Sequence, residues 1–206
     1  VPENAGLVLG AAGRLVRDKG HELLFDAFQE LLASPAHADV YLLVAGQGPW
    51  AKRYETLAPR VRVLGSLPPS QLAEFYNAID LFVNPTMRAQ GLDHTLLEAM
   101  QCAKPLLATR FSSITRSVIV GPELGYTFSP NVAALSEALK AVLADGRDVL
   151  RRKGEACKEY ASHMFDAQKM ASSYERLFLC LNDPFYCNYP LAFDQSSCNI
   201  TTSTFT

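Results

Sequence analysis

The sequence lacks long apolar runs: none reaches the ~18 residues that a membrane-spanning helix requires, so no membrane contact is expected from this segment. It also lacks an excess of charge of either sign. Nineteen Lys and Arg stand against 21 Asp and Glu, leaving a formal net charge of −2. That balance excludes a general attraction to nucleic acid and leaves the capture of any anion to a local cluster. Five cysteines, at positions 102, 157, 180, 187 and 198, are odd in number and lack metal-ligand spacing. The opening Val1-Pro-Glu-Asn-Ala-Gly6 has neither a basic region nor a signal-peptide core and no initiator methionine; it reads as a linker, and the chain is expected to be a fragment of a longer one. There is no internal repeat. A G-x-G-x-x-G dinucleotide fingerprint is missing too, which argues against hydride transfer.

What is present is a folded globular composition, 49% apolar and 19% charged over 206 residues, enough for one domain with a real core. Short β-like runs alternate with helical ones. Leu7–Ala12 leads into a helix with an apolar stripe of Leu23, Leu24, Ala27, Phe28, Leu31 and Leu32. Val40–Ala45 is a continuous apolar run, as in a strand covered on both faces. Val61–Leu64, Asp80–Asn84, Pro105–Thr109 and Gly125–Phe128 supply four more strands, with a helix over Pro69–Asn77. Later helices carry Leu135 to Leu143, then Val149 to Met164, then Met170 to Leu181 behind a capping Asp166. Such alternation implies a doubly wound parallel α/β sheet of Rossmann-like type. The core is expected at 7–145, helices at 146–181, and an irregular tail at 182–206. Cys102, Cys157 and Cys180 read as buried free thiols. Cys187 and Cys198 could pair in an oxidising compartment, and Asn199-Ile-Thr201 is a glycosylation sequon; neither settles the compartment.

Two loop constellations carry chemistry. The first, Gly10-Ala-Ala-Gly13-Arg14 through Arg17-Asp18-Lys19-Gly20, follows the opening strand. Arg14 offers a planar fork for phosphate oxygens and Lys19 a flexible point charge, although Arg17 and Asp18 between them could make this an ordinary solvated loop. The second is Gln90-Gly-Leu-Asp-His-Thr-Leu-Leu-Glu98, a loop entering a helix at the carboxyl end of a strand. Gly91 allows close backbone approach, and the amides of about Asp93 to Leu96 sit at a helix start that favours an anion. Glu98 could accept from ligand hydroxyls, or Thr95-Leu-Leu-Glu98 could be a capping box in which Glu98 bonds back to Thr95. Asp93 and His94 are open between ligand contact and, respectively, capping and polar surface. Gly46-Gln-Gly48 and Gly65-Ser66-Leu67 follow other strands and face the same side.

Together these pieces resemble the C-terminal, donor-binding domain of retaining GT-B glycosyltransferases, most like glycosyltransferase family 4. The matching segments are Gly13-Arg14-Leu-x-x-x-Lys19-Gly20, Val44-Ala-Gly46-x-Gly48-Pro49, Val63-Leu-Gly65, Ala78-Ile-Asp80-Leu-Phe-Val-x-Pro85, and Gln90 to Glu98 followed by Ala99-Met100 and Lys104-Pro105. The Gln90–Glu98 wording is most similar to a plant branch. The resemblance implies that Arg14 and Lys19 hold the diphosphate of a nucleotide-sugar, a UDP-sugar, and that Glu98 binds its ribose. It implies that Gly91, Leu92, Asp93, His94, Thr95 and Leu96 serve the sugar and phosphates, with Gly13 and Gly46 beside them, and that Gly65, Ser66 and Leu67 lie near the base. It implies no metal and no cofactor beyond the donor substrate, and as partner an N-terminal acceptor domain of the same protein, absent from this chain. A signal-anchor on that part would place the protein in the secretory pathway; without one it would be cytoplasmic. Gln90 departs from the family's E-x7-E pattern: it keeps hydrogen-bonding shape but has no charge and adds an N–H donor. The expected activity is sugar transfer by the full-length protein, with the isolated half inactive. The alternative is a non-catalytic member that binds a nucleotide-sugar or a protein.

Overall fold

The computed structural model describes residues 2, 5–89, 92–183, 185 and 187. Its centre is a six-stranded parallel sheet in the order β3-β2-β1-β4-β5-β6. The strands are β1 (Leu7–Ala12), β2 (Val40–Ala45), β3 (Val61–Gly65), β4 (Leu81–Asn84), β5 (Leu106–Thr109) and β6 (Gly125–Phe128). Helices α1 (His21–Leu32), α2 (Ala51–Glu55), α3 (Pro69–Asn77), α4 (His94–Gln101) and α5 (Ser112–Thr115) alternate with them, and α6 (Val132–Met164) and α7 (Ala167–Asn182) follow. The doubly wound reading therefore holds. The chain divides into two compact units, 1–162 and 163–206.

The central strands form because their residues are apolar on both faces. β1 is buried over Leu7–Ala11, and β4 and β5 are buried throughout. Leu24 and Phe28 of α1 and Leu139 of α6 are buried in one cluster with Leu9, Leu42 and Leu107. Removing a ring such as that of Phe28 is expected to destabilise the fold by about 3–5 kcal/mol. At the amino ends, Asp80 anchors the sheet: its Oδ2 accepts from the Val8 amide at 2.8 Å and from Arg147 at 3.1 Å.

Helix boundaries follow local chemistry. Asn131 accepts from Ala134 N at 2.8 Å at the start of α6, and Asp166 accepts from Gln168 N at 3.3 Å at the start of α7. The sequence suggested two helices where α6 runs, and α6 is interrupted by a non-helical Gly146 at φ 70°, ψ 174°. Of the cysteines expected to be buried, Cys157 is, donating to the Leu124 carbonyl at 2.9 Å, whereas Cys102 and Cys180 are half-buried. Cys187 is a free, exposed thiol. Cys198, its suggested partner, the Asn199 sequon and most of the tail lie outside the described residues.

The strand order sets the site. The chain fills the sheet outward from β1 on one side, then returns to β4 and fills the other. The loops leaving the carboxyl ends of β1 and β4 therefore diverge from neighbouring strands, and open α/β sheets hold ligands in the crevice this creates.

Candidate functional site

Both sequence constellations sit at this switch point. The loop after β1 returns beside the loop after β4, where the Met87 amide donates to the Asp18 carbonyl at 3.0 Å. Gly20 makes the approach possible. It adopts φ 75°, and a side-chain carbon there would run into the Pro85 carbonyl.

The two loops are also joined by side chains. Asp93 accepts from Lys19 Nζ at 3.1 Å and from Asn84 Nδ2 at 3.1 Å through one oxygen. The other oxygen accepts from the Thr95 amide at 3.2 Å and the Thr95 hydroxyl at 2.9 Å. Burial raises the Asp93 pKa, but the bonds from Asn84 and Thr95 and the Lys19 charge outweigh it and hold the carboxyl below its ordinary range. Asp93 is thus the N-cap of α4, and its own carbonyl takes the Leu96 amide at 3.1 Å.

This arrangement corrects two expectations. Thr95 is not the cap of a capping box: Asp93, two residues earlier, caps α4, so Glu98 stands two positions beyond the one from which a side chain reaches back to the cap amide. It accepts instead from Tyr76, at 2.7 Å. The amides of Thr95 and Leu96, expected to await an anion, are already bonded to Asp93. Leu96 itself is fully buried, so its side chain belongs to the core.

Beside the ion pair opens a cleft of about 450 Å³. Gly13 and Arg14 line it from the β1 loop, Gly46 and Gln47 from the β2 loop, and Ser66 and Leu67 from the β3 loop. Thr95 and Glu98 of α4 and Tyr76 of α3 complete it. Its floor is stitched strand to strand, with the Gly13 amide donating to Ala45 O at 2.9 Å and the Gly46 amide to Gly65 O at 2.7 Å. At Gly46, φ is 143° and an added Cβ would collide with the Gly13 carbonyl, so the floor is closed to any side chain.

Arg14 is exposed at the rim, and its guanidinium makes no ion pair among the described residues. The neighbouring charges do not neutralise one another as the sequence allowed: Arg17 pairs with Glu22 at 2.8 Å, and Asp18 with Arg88 at 3.6 Å. Beneath Arg14, His21 is 2% exposed and bonded to the Arg14 carbonyl and, at 3.1 Å, to the Tyr54 hydroxyl. Burial lowers its pKa to about 4 against that backbone bond, so the ring is neutral. A neutral ring donates once, and the bond to the Arg14 carbonyl uses that proton; the Tyr54 hydroxyl, lying against Nδ1, donates to the His21 carbonyl at 3.1 Å.

A model of the family described as "Glycosyl transferases group 1" matches residues 6–145. The chain belongs to that family. Among relatives of this chain, the D-inositol 3-phosphate glycosyltransferase of Corynebacterium efficiens is 29% identical over 164 residues, 75% of this chain and 38% of the relative. A GDP-mannose-dependent alpha-mannosyltransferase of Corynebacterium glutamicum is 32% identical over 103 residues, 50% of this chain and 22% of the relative. Among solved structures, sucrose-phosphate synthase from Thermosynechococcus elongatus superposes with a TM-score of 0.72 at 26% identity, covering 87% of this chain and 47% of that one. The chain thus spans less than half the length of these relatives. Its fold is the Rossmann-like one of GT-B glycosyltransferases.

Of the residues singled out from sequence, Gly13, Arg14, Gly46, Ser66, Leu67, Thr95 and Glu98 share the cleft. Gly65 lies in its floor, and Lys19 and Asp93 lock its flank. Leu92 and His94 are exposed and do not line it. Gln90 and Gly91 fall outside the described residues. Sequence reading missed Tyr76, Asn84 and His21. Tyr76 had a usable signal, since a phenol on an apolar helix face needs a partner for its hydroxyl.

Proposed function

We propose that this chain is the donor-binding half of a retaining glycosyltransferase of a plant-type branch, which transfers a hexosyl or pentosyl group from a UDP-sugar. The observation that carries the reading is the cleft at the β1–β4 switch point, whose lining joins Glu98 to an Arg14 that makes no ion pair among the described residues. The nucleoside would enter between the β3 loop, with Ser66 and Leu67 near the base, and Glu98, which would accept from ribose hydroxyls. The diphosphate would then meet Arg14, whose fork binds two oxygens at once. Charge accumulates on the diphosphate as the glycosidic bond breaks, and a cation fixed there stabilises the departing nucleotide. Leu92, Asp93 and His94, with Gly91, would border the sugar.

Lys19 has a smaller role in this reading than the sequence suggested. Its ammonium is compensated by Asp93 at 3.1 Å, so a diphosphate must compete for it, whereas Arg14 has no ionic partner among the described residues. Gln90 would orient a sugar hydroxyl but could not stabilise an oxocarbenium-like centre with charge. Acceptor binding would fall to a further domain of the protein, and this half alone would transfer little sugar.

Calorimetric titration of this chain with UDP, UDP-glucose and GDP tests the reading. Binding to the uridine nucleotides that disappears in Arg14→Ala/Lys19→Ala is expected. Absence of binding at millimolar ligand, or binding indifferent to both substitutions, contradicts it; a preference for GDP corrects the donor. The amide at position 90 supports a second reading, a family member that binds donor without transferring sugar. In the full-length protein, activity that appears only with Gln90→Glu favours that alternative. Native activity lost on Glu98→Ala favours the enzyme.

A further inference from the structure

Tyr76 is a buried polar group for which donor binding, as described, has no use. It sits in the last turn of α3 at 1% exposure, with its ring edge-on to Phe75 at 5.2 Å and to Phe82 at 5.5 Å. These rings leave the phenol one place to go. Its hydroxyl reaches two acceptors on α4, Glu98 Oε2 at 2.7 Å and the Thr95 carbonyl at 3.3 Å. One proton serves both, and the shorter bond, to a charged acceptor, is the stronger. Burial first, and then the bond to Glu98, push the phenol above its ordinary range, so at neutral pH it remains a donor.

Glu98 is half-buried and lines the cleft. Its Oε1 accepts no hydrogen bond among the described residues. A glutamate at a cleft wall would otherwise lose rotamer freedom when a ligand arrives. We propose that Tyr76 is the positioning residue for Glu98, fixing Oε2 with a ring-anchored hydroxyl so that Oε1 is held ready for a ribose hydroxyl. The inference rests on the donor-binding reading and deepens it. Recognition of the ribose is then a property of the α3–α4 pair, and selection for a nucleotide carrying free 2′ and 3′ hydroxyls is set before the ligand enters.

Titration of this chain with UDP and with 2′,3′-dideoxy-UDP tests the proposal, using the parent, Tyr76→Phe, Glu98→Ala and the double variant. The parent should prefer UDP by about tenfold or more, the range of a hydrogen bond to a charged group. Tyr76→Phe should lose most of that preference while binding the dideoxy nucleotide as the parent does. In the Glu98→Ala background it should change neither affinity, because coupled residues are not additive. Should Tyr76→Phe fail to fold, Glu98→Asp reads the same coupling: it keeps the charge but withdraws it from the phenol, and it should also lose the preference. A parent that binds no UDP overturns the donor reading and this proposal with it. A parent that binds UDP with the expected preference, retained in Tyr76→Phe or Glu98→Asp, overturns the role of Tyr76 alone. So does an equal weakening of both nucleotides by Tyr76→Phe, the mark of a residue that only packs.

Discussion

The two flanks of the cleft use similar residues for opposite ends. On one, Lys19 and Asp93 are paired at 3.1 Å, their side chains 25% and 11% exposed, and Asp93 also takes bonds from Asn84 and Thr95. On the other, Arg14 has no ionic partner among the described residues, and Glu98 has one oxygen engaged by Tyr76. Each flank has one cation from the loop after β1 and one carboxylate from α4. The difference is completeness of pairing. A closed pair holds two loops together, and a half-open pair has bonding capacity left for a ligand. Position in a motif therefore does not by itself separate an architectural charge from a binding one.

Substitutions at four positions would break or sharpen this contrast. The largest effect is expected under the open flank. His21 is neutral in the fold, with its pKa lowered from 6.5 to about 4, so the unfolded chain takes up the proton first. Its contribution is fully present above pH 6.5 and is lost as pH falls towards 4, by at most about 3 kcal/mol. Urea unfolding across that window should show the decline, and His21→Gln should flatten it. A decline of equal size in His21→Gln would assign the acid sensitivity elsewhere.

Next comes the closed flank. Asp93→Ala removes a helix cap and strips Lys19 and Asn84 of a shared acceptor, for about 2–3 kcal/mol of stability. The carboxyl's folded pKa is depressed below 3.8, so its contribution is complete above that pH and disappears as pH falls through the lowered value. The stability gap between the parent and Asp93→Asn, followed by urea titration, should therefore narrow below pH 3.8. A gap that does not change with pH would contradict the pairing.

The third effect is on binding. Arg14→Ala should weaken UDP by about 1.5–3 kcal/mol, read by calorimetry, with the melting temperature nearly unchanged. Smallest is Lys19→Met, expected to weaken UDP by less than about 1 kcal/mol, because its charge is already compensated. If Lys19→Met weakens UDP more than Arg14→Ala, the contrast between the flanks is inverted.

Much of the fold was legible in the sequence. The unbroken apolar run Val40–Ala45 and the stripe from Leu23 to Leu32 fix a buried parallel strand and its covering helix, because period and burial are local properties. The convergence of Arg14 with Glu98 was legible through motif order, since a parallel sheet puts successive loops on one edge. Pairing was not. That Thr95 lies inside α4 rather than at its cap depends on Asp93 finding Asn84 nine residues earlier and Lys19 across the next strand. Tyr76 and His21 were hidden in apolar stripes for the same reason: a polar atom in the core is explained only by the partner it reaches.

The central claim is that the cleft at the β1–β4 switch point takes the nucleotide. A larger hollow of about 730 Å³, lined in part by Val16, Arg17, Met87, Arg88 and Val132, is the natural competitor, although its arginines are already paired. Amide chemical-shift mapping of this chain on titration with UDP separates the two directly. The account predicts that shifts concentrate at Gly13, Gly46, Ser66, Thr95 and Glu98. Shifts centred instead on Val16, Met87, Arg88 and Val132, or none at saturating nucleotide, would contradict it.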